Sequence, residues 1–332
     1  MRVLVTGASG LVGSHVAAAL AAEGHTVRCL ARDHGRVKTA LAPFSIAYEV
    51  ATGDMTDTLA VSKAVDGCDS LVHAAAVVGV HRATADGTDT NLLGSQIVMS
   101  AAAEAGADPI VYTSSVSAYL PTEESLLTAD SPLSEASTPY ATSKRSVEVW
   151  VRTRQNLGDP IVTFVLGAVY GPPSPHPESS YAGILGAMGR RMMVAPPSGV
   201  GVVDVRDLAV LIARSTESAA GPRRFFAGGN FLTWRTWAET LAEAAGTEIA
   251  IEELSTQDLI TLGRDLDALR AAGTAVPGSL SEEAAVIMSS GRPTDDSETL
   301  AAFGVAYRPA VETFADTISH LRYVGLLPPH GE

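Results

Sequence analysis

Residues 2–13 read Arg2-Val3-Leu4-Val5-Thr6-Gly7-Ala8-Ser9-Gly10-Leu11-Val12-Gly13, an apolar run that breaks into a glycine-spaced turn before an alanine-rich stretch. Residues 2–5 are predicted to be a short strand and residues 11–23 a helix, which Gly24 ends where helices favour glycine. Each glycine of such a strand–turn–helix has a physical use. Gly7 lets the chain turn off the strand, Gly10 lets the backbone approach a pyrophosphate, and Gly13 lets the helix lie close on the strand. Ser9, Leu11 and Val12 complete the turn. The helix start then offers unpaired N–H groups and a positive dipole end to phosphates. The spacing is GxxGxxG, weak as a bare pattern. Its weight comes from sitting between a strand and a helix at the head of an alternating chain.

That alternation continues. Strands are predicted at 26–31, 45–50, 70–76, 110–113 and 161–166, and helices at 57–65, 86–105 and 140–156. Strands alternating with helices imply right-handed βαβ units and a doubly wound parallel sheet of Rossmann type. Four prolines within 171–177 cannot form regular structure and mark where the chain leaves the first lobe. A strand at 202–205 and a helix at 206–215 are expected to return to it, and short helices at 233–245, 256–271, 295–303 and 311–323 follow. The expected division is a dinucleotide-binding domain over 1–170, rejoined by 202–228, and a smaller, mostly helical substrate lobe over 171–201 and 229–332. Residues 272–281 read as a loop.

Composition bounds the partners. The chain has 332 residues, 46% hydrophobic and 18% charged, an ordinary globular balance. A formal charge of −14 without a basic cluster argues against nucleic acid and anionic membranes. Two cysteines, Cys29 and Cys68, make no disulfide framework, and no Cys/His spacing suggests a metal. The N-terminal segment reads as strand and turn rather than a secretory leader, and no apolar run reaches a membrane span, so the cytoplasm is the expected compartment.

An acid that grips a cofactor ribose is expected at the end of the second strand. Asp33 is a candidate for it, but Ala31 occupies the strand end itself, with Arg32 directly after it. A small residue followed by Arg suits the 2′-phosphate of NADP, which is favoured over NAD. Further on, Tyr140 and Lys144 stand at i and i+4, on one helical face. An ammonium near a phenol lowers its ordinary pKa of ~10, and the pair then serves as general acid or base for an alcohol–carbonyl couple. Ser114 and Ser115 end the fifth strand, at the sheet edge where ligands bind in open α/β folds.

Taken together, TGASGLVG (6–13), GDMTD (53–57), HAAA (73–76), Asn91 in TNLLGS, YTSS (112–115), YATSK (140–144), VYGP (169–172) and VDVRDLA (203–209) resemble the extended short-chain dehydrogenase/reductase family, which includes the NAD-dependent epimerases and dehydratases. The resemblance covers most of the chain, densely to about Asp207, and is closest to the dihydroflavonol-reductase-like branch. It implies Tyr140 as acid/base, Lys144 as ribose ligand and tuner of Tyr140, Ser115 as polariser of the substrate oxygen, and Asn91 as support of a water relay. It also implies that Asp54 and Met55 meet the adenine and that Ala74, Ala75 and Ala76 pass behind the cofactor. Val169 would flank the nicotinamide, and Thr113 belongs to the expected cofactor-binding set. Leu166-Gly167 stands where many sugar-nucleotide members carry Arg-Pro, which weighs against such substrates.

The expected activity is NADP-dependent interconversion of a carbonyl and an alcohol on a small or medium, mainly apolar substrate. The alternatives are a nucleotide-sugar epimerase or dehydratase with tightly held NAD, and a non-catalytic NADP-binding regulator. A homodimer is left open. Val77 to His81, Val116 to Leu120 and Tyr170 are expected to line the pocket. Residues 181–194, with Met188, Met192 and Met193, read as a lid or, with more weight, as plain core. His81, His176, Arg190 and Arg191 read as surface groups.

Overall fold

The computed structural model describes residues 1–77, 85–135, 138–217, 221–276 and 280–329, with only the backbone described for 85–89. His81 and residues 277–279 of the expected loop lie outside these. The first half alternates β1 (Arg2–Thr6), α1 (Leu11–Ala22), β2 (Thr26–Ala31), α2 (His34–Leu41), β3 (Glu49–Thr52), α3 (Thr58–Val65), β4 (Ser70–His73), α4 (Ala85–Glu104), β5 (Ile110–Ser115), α5 (Pro139–Asn156) and β6 (Ile161–Leu166). Strands β4, β5 and β6 are buried along their whole length, as strands covered by helices on both faces must be.

After β6 come β7 (Ala168–Tyr170), α6 (Pro177–Ser180), α7 (Ala182–Arg190), β8 (Met192–Ala195), β9 (Gly199–Asp204), α8 (Val205–Ser215) and β10 (Arg223–Ala227). The chain ends with β11 (Asn230–Thr233), α9 (Trp234–Ala245), β12 (Ala250–Glu253), α10 (Thr256–Ala271), α11 (Glu282–Ser290), α12 (Ser297–Phe303) and α13 (Ala310–Tyr323). Seven parallel strands form the main sheet in the order β10-β6-β5-β4-β1-β2-β3. The order reverses between β1 and β4, and the crevice above that point is where doubly wound sheets bind ligands. Helix α8 buries Leu208, Leu211 and Ile212 in the same core as Val3, Val5 and Val16.

Several segments differ from the sequence reading, among them the strand at 199–204, expected to rejoin the first lobe but paired in a separate three-stranded sheet. Asp33 is the N-cap of α2, accepting from the Gly35 and Arg36 N–H groups at 2.7 and 3.3 Å, so its carboxylate is spent on a helix the sequence reading passed over. Val37, Ala40 and Leu41, spaced for one helical face, were the signal for it. The third strand then starts later, at Glu49, after a 3-10 turn over Ala42–Phe44 and a left-handed Ser45.

The smaller lobe holds a three-stranded sheet, β11-β9-β7, and a two-stranded one, β12-β8. Residues 181–194 are built into it: Tyr181 and Ile184 are fully buried, Met188 and Met193 pack on the same core, and Met192 pairs with Ala250. Phe314 of α13 sits at its centre, edge-on to Tyr170 (5.5 Å between ring centroids) and Trp237 (5.4 Å). The two lobes are tied by charge. Arg206 donates to both oxygens of the buried Asp204 at 2.8 and 2.7 Å, Thr313 donates to it at 2.9 Å, and Arg206 also pairs with Asp316 of α13 at 2.7 Å.

Phe314→Ala removes a fully buried ring that joins Tyr170 to Trp237. It is expected to cost about 3–5 kcal/mol, read as a lower urea midpoint at unchanged m-value. A loss below about 1 kcal/mol contradicts a lobe centred on this cluster.

Candidate active site

The site begins at the turn after β1. Gly7 has φ +79°, and a Cβ there would stand 2.7 Å from Ala74 C and Ala75 N; a Cβ at Gly13 would stand 2.3 Å from Gly7 O. Both glycines are therefore demanded by close backbone approach. Gly10 differs: its added Cβ meets only Gly7 O, at 3.4 Å, so its outer side is open. Helix α1 starts at Gly10 and, like α7, has no side-chain cap and no acid in its first turn, whereas α2, α3, α5, α8 and α9 start under an Asp or Thr side-chain cap. An uncapped helix start behind an open glycine fits the diphosphate of a dinucleotide.

Around this turn, Thr6 holds the chain leaving β4. Its carbonyl accepts from Ala74 N at 3.3 Å and its hydroxyl from Ala75 N at 3.2 Å. Ala74, Ala75 and Ala76 are partly exposed, along the rim of the crevice. Arg32 and Asp54 face each other as an ion pair at 3.3 Å, with Arg32 three-quarters exposed. The other Asp54 oxygen accepts from Thr56 N and Oγ1 at 2.9 and 2.7 Å, and those bonds, the backbone one foremost, hold its carboxyl below the ordinary range. Met55 lies directly on Gly94 of α4.

On the other side of the switch point, α5 carries Tyr140 and Lys144 beside β5. Thr138 caps the helix and Pro139 takes its first turn, where a missing N–H costs nothing. The Tyr140 phenol lies beside the Ser115 hydroxyl, near enough to pull its titration down. Ser115 Oγ also accepts from Ser117 N at 3.2 Å and Ser117 Oγ at 3.0 Å, which fixes the hydroxyl at the end of β5. Lys144 is buried, donates to Thr113 O at 3.1 Å, and lies 5.4 Å from the Tyr112 ring centre. Burial brings its ammonium down to about 8, with the Glu148 charge acting upward. Burial pushes the Tyr140 phenol up, and the Ser115 hydroxyl opposes this. The lowering of the phenol anticipated from the i, i+4 spacing is thus overridden by desolvation, and the phenol is a proton donor at neutral pH.

Several sequence-predicted residues turn out to hold the site together internally. Asn91 Oδ1 accepts from Val77 N at 2.7 Å, and its Nδ2 donates to Val77 O at 3.2 Å and to Ser143 Oγ at 2.9 Å. Its amide clamps the segment after β4 to the helix of Tyr140 and Lys144. The Thr113 hydroxyl donates to His73 O at 3.3 Å, within the sheet. Val169 pairs with Val203 in the three-stranded sheet. Ala118 and Tyr119, expected in the pocket wall, are fully buried with Leu127, Val165 and Phe226, and Tyr170 packs into the smaller lobe's core. His176 lies 3.2 Å from Arg36, and Arg190 and Arg191 are exposed.

Three participants escaped the sequence reading. His73 is fully buried, with Nδ1 2.8 Å from Thr6 Oγ1 and Nε2 3.0 Å from Ser95 Oγ. Glu283 of α11 accepts from Tyr140 N at 3.4 Å, across 143 residues of sequence. Glu148 stands one turn beyond Lys144, fully buried. Only the last had a signal, its i+4 spacing from Lys144.

His73 makes the fold acid-sensitive. Burial, and then the Lys144 charge, pull its imidazole from 6.5 to about 3. The unfolded chain therefore takes up the proton first, so stability falls as pH drops below about 6.5 and has lost about 2 kcal/mol near pH 5 from this group. His73→Asn is expected to flatten the fall in Tm between about pH 6.5 and 5, and an unchanged slope contradicts the assignment.

Comparison with known proteins extends this geometry. A family model described as "NAD dependent epimerase/dehydratase family" matches residues 3–221. Sterol demethylase protein B of Methylococcus capsulatus is 26% identical over 337 residues, spanning 98% of this chain and 100% of that protein. A 3 beta-hydroxysteroid dehydrogenase/Delta 5→4-isomerase of Mycobacterium tuberculosis is 35% identical over 127 residues, 36% of this chain and 33% of that protein. The structure of UDP-glucose 4-epimerase from Bifidobacterium longum in complex with NAD+ and UDP matches with a TM-score of 0.73 at 16% identity, over 97% of this chain and 98% of that one.

Proposed function

The chain belongs to the NAD dependent epimerase/dehydratase family, a family of NAD(P)-dependent enzymes of the extended short-chain dehydrogenase/reductase type, and on that premise we propose that it is an NADP-dependent oxidoreductase interconverting a carbonyl and an alcohol on a small or medium, mainly apolar substrate. The observation that carries this reading is the contact of the Tyr140 phenol with the Ser115 hydroxyl, beside a buried Lys144. A carbonyl oxygen placed against Ser115 Oγ and Tyr140 Oη meets two donors at once. Ser115 polarises it, and Tyr140, kept protonated by burial, delivers the proton as the oxygen gains charge. In the alcohol-to-carbonyl direction the phenolate takes the proton back. Gly7, Ser9, Gly10, Leu11, Val12 and Gly13 would hold a nicotinamide cofactor, which would supply or accept the hydride. Lys144 would serve as its ribose ligand, and Arg32, exposed at the end of β2, as counter-charge to a 2′-phosphate.

An apolar substrate is supported at Leu166-Gly167. Leu166 is buried in the main core, and a side chain at Gly167 would stand 2.3 Å from Gly228 O and 2.9 Å from Gly201 O. No cation is offered from either position. The relatives named for sterol and steroid chemistry support the same reading, and the epimerase likeness supports the alternative of a nucleotide-sugar enzyme with retained NAD.

Following NADPH and NADH absorbance with a panel of ketones, aldehydes and nucleotide sugars separates these. NADPH oxidation with a ketone or aldehyde is the expected result; NAD retained through purification with nucleotide-sugar turnover overturns it. Tyr140→Phe is expected to lower kcat by about 10²–10⁴ while NADPH binding persists. Unchanged turnover in that variant defeats the mechanism.

A further inference from the structure

Helix α11 bridges the two lobes beside the site. At its start, Glu283 accepts from Tyr140 N at 3.4 Å, so this end lies on the helix that carries the Tyr140 phenol. At its end the smaller lobe holds it: Trp234 Nε1 donates to Met288 O at 2.7 Å, and Ser198 Oγ donates to Gly291 O at 3.1 Å. From residue 283 to residue 291 the chain rises about 12 Å. Between these anchors the sequence is apolar without a break, Ala284-Ala285-Val286-Ile287-Met288. A helix apolar on every side is ordinarily buried on every side. Here Ala285 is buried, while Ala284, Val286, Ile287 and Met288 stay partly exposed. Among the described residues, those four join none of the buried cores.

The covering of α11 is one-sided. Arg264 of α10 pairs with Glu282 at 2.6 Å, and a Cβ at Gly263 would stand 2.5 Å from Ser281 O. Glu282 and Ala285, three residues apart, share that covered face. Glu283 starts a different row, the one turned to Tyr140, and helical spacing stacks Ile287 one turn beyond it with Val286 at its flank. The row therefore begins at the reacting end of the crevice and continues away from it as stiff, branched apolar side chains. The next cation along the chain, Arg292, is spent on backbone, donating to Ser290 O at 3.4 Å and Gly291 O at 3.0 Å. A neutral apolar body fits this wall, and an anionic one finds no counter-charge along it.

We propose that Ile287, flanked by Val286, is the specificity-determining residue of the site: it receives the apolar body of a carbonyl compound whose oxygen rests on Ser115 and Tyr140. This deepens the carbonyl–alcohol reading above and rests on it.

The test uses the full chain and unbranched methyl ketones from 2-butanone to 2-decanone. Two quantities are read at each length: kcat/KM with NADPH, and the dissociation constant by titration calorimetry on the NADP+-loaded protein. In the unmodified chain both are expected to improve with length, by up to about fourfold per added methylene until the ketone outgrows the wall. In Ile287→Ser and Ile287→Thr, whichever folds by its Tm, the gain is expected to fall below about twofold per methylene. Leu269→Ala, at an exposed position of α10, is expected to keep the full gain. A merely structural role lowers every chain length alike and leaves the gain per methylene intact. An intact gain in the Ile287 variants overturns the proposal, and so does an unmodified chain indifferent to ketone length. Length-dependent binding that is lost in the Ile287 variants, with no ketone reduced, upholds the wall and fails the carbonyl reaction instead.

Discussion

The placement of α1 against β1 is the constraint on which the site depends. The helix comes so close that a single added carbon at Gly13 would stand 2.3 Å from the Gly7 carbonyl, and one at Gly7 would strike the backbone after β4. No side chain larger than hydrogen fits either place, so two backbone segments and a helix start converge at the reversal of strand order. Among the described residues, no side chain caps the start of α1, and its first N–H groups are left for another partner. In a molecule of formal charge −14, this local dipole is what makes an anionic cofactor acceptable.

From that point the chemistry is laid out by strand order. β4 lies beside β1 and β5 beside β4, so Thr6, His73 and Tyr112 stand side by side, with Thr113 and Ser115 next along β5. Helix α5 packs over β5 and is stitched to α4 by Asn91 and Ser143. Buried charge then sets the protonation states. Desolvation alone would leave a neutral lysine and a phenol too weakly acidic to turn over. Ser115 on the phenol and Glu148 on the ammonium act against that burial.

Much of this arrangement was readable from the sequence, because period and punctuation carry it. The glycine turn, the strand–helix alternation and the parallel sheet follow from residues 2–166 without any tertiary information. Tyr140 and Lys144 share a face by spacing alone. What escaped was whatever depends on long-range company. Asp33 resembled a ribose ligand until α2 formed behind it, Ala118 and Tyr119 resembled pocket wall until the core closed over them, and Asn91 spends its amide on Val77 and Ser143. The small strands β8, β11 and β12 have four residues each, too short for an alternating pattern to register.

The most direct measurement is a crystal structure with NADPH bound. The account requires the diphosphate on the N–H groups of Leu11, Val12 and Gly13, the 2′-phosphate toward Arg32, and the nicotinamide facing the Tyr140 and Ser115 hydroxyls with Lys144 on its ribose. Cofactor density away from the glycine turn, or a nicotinamide turned from Tyr140, would contradict it.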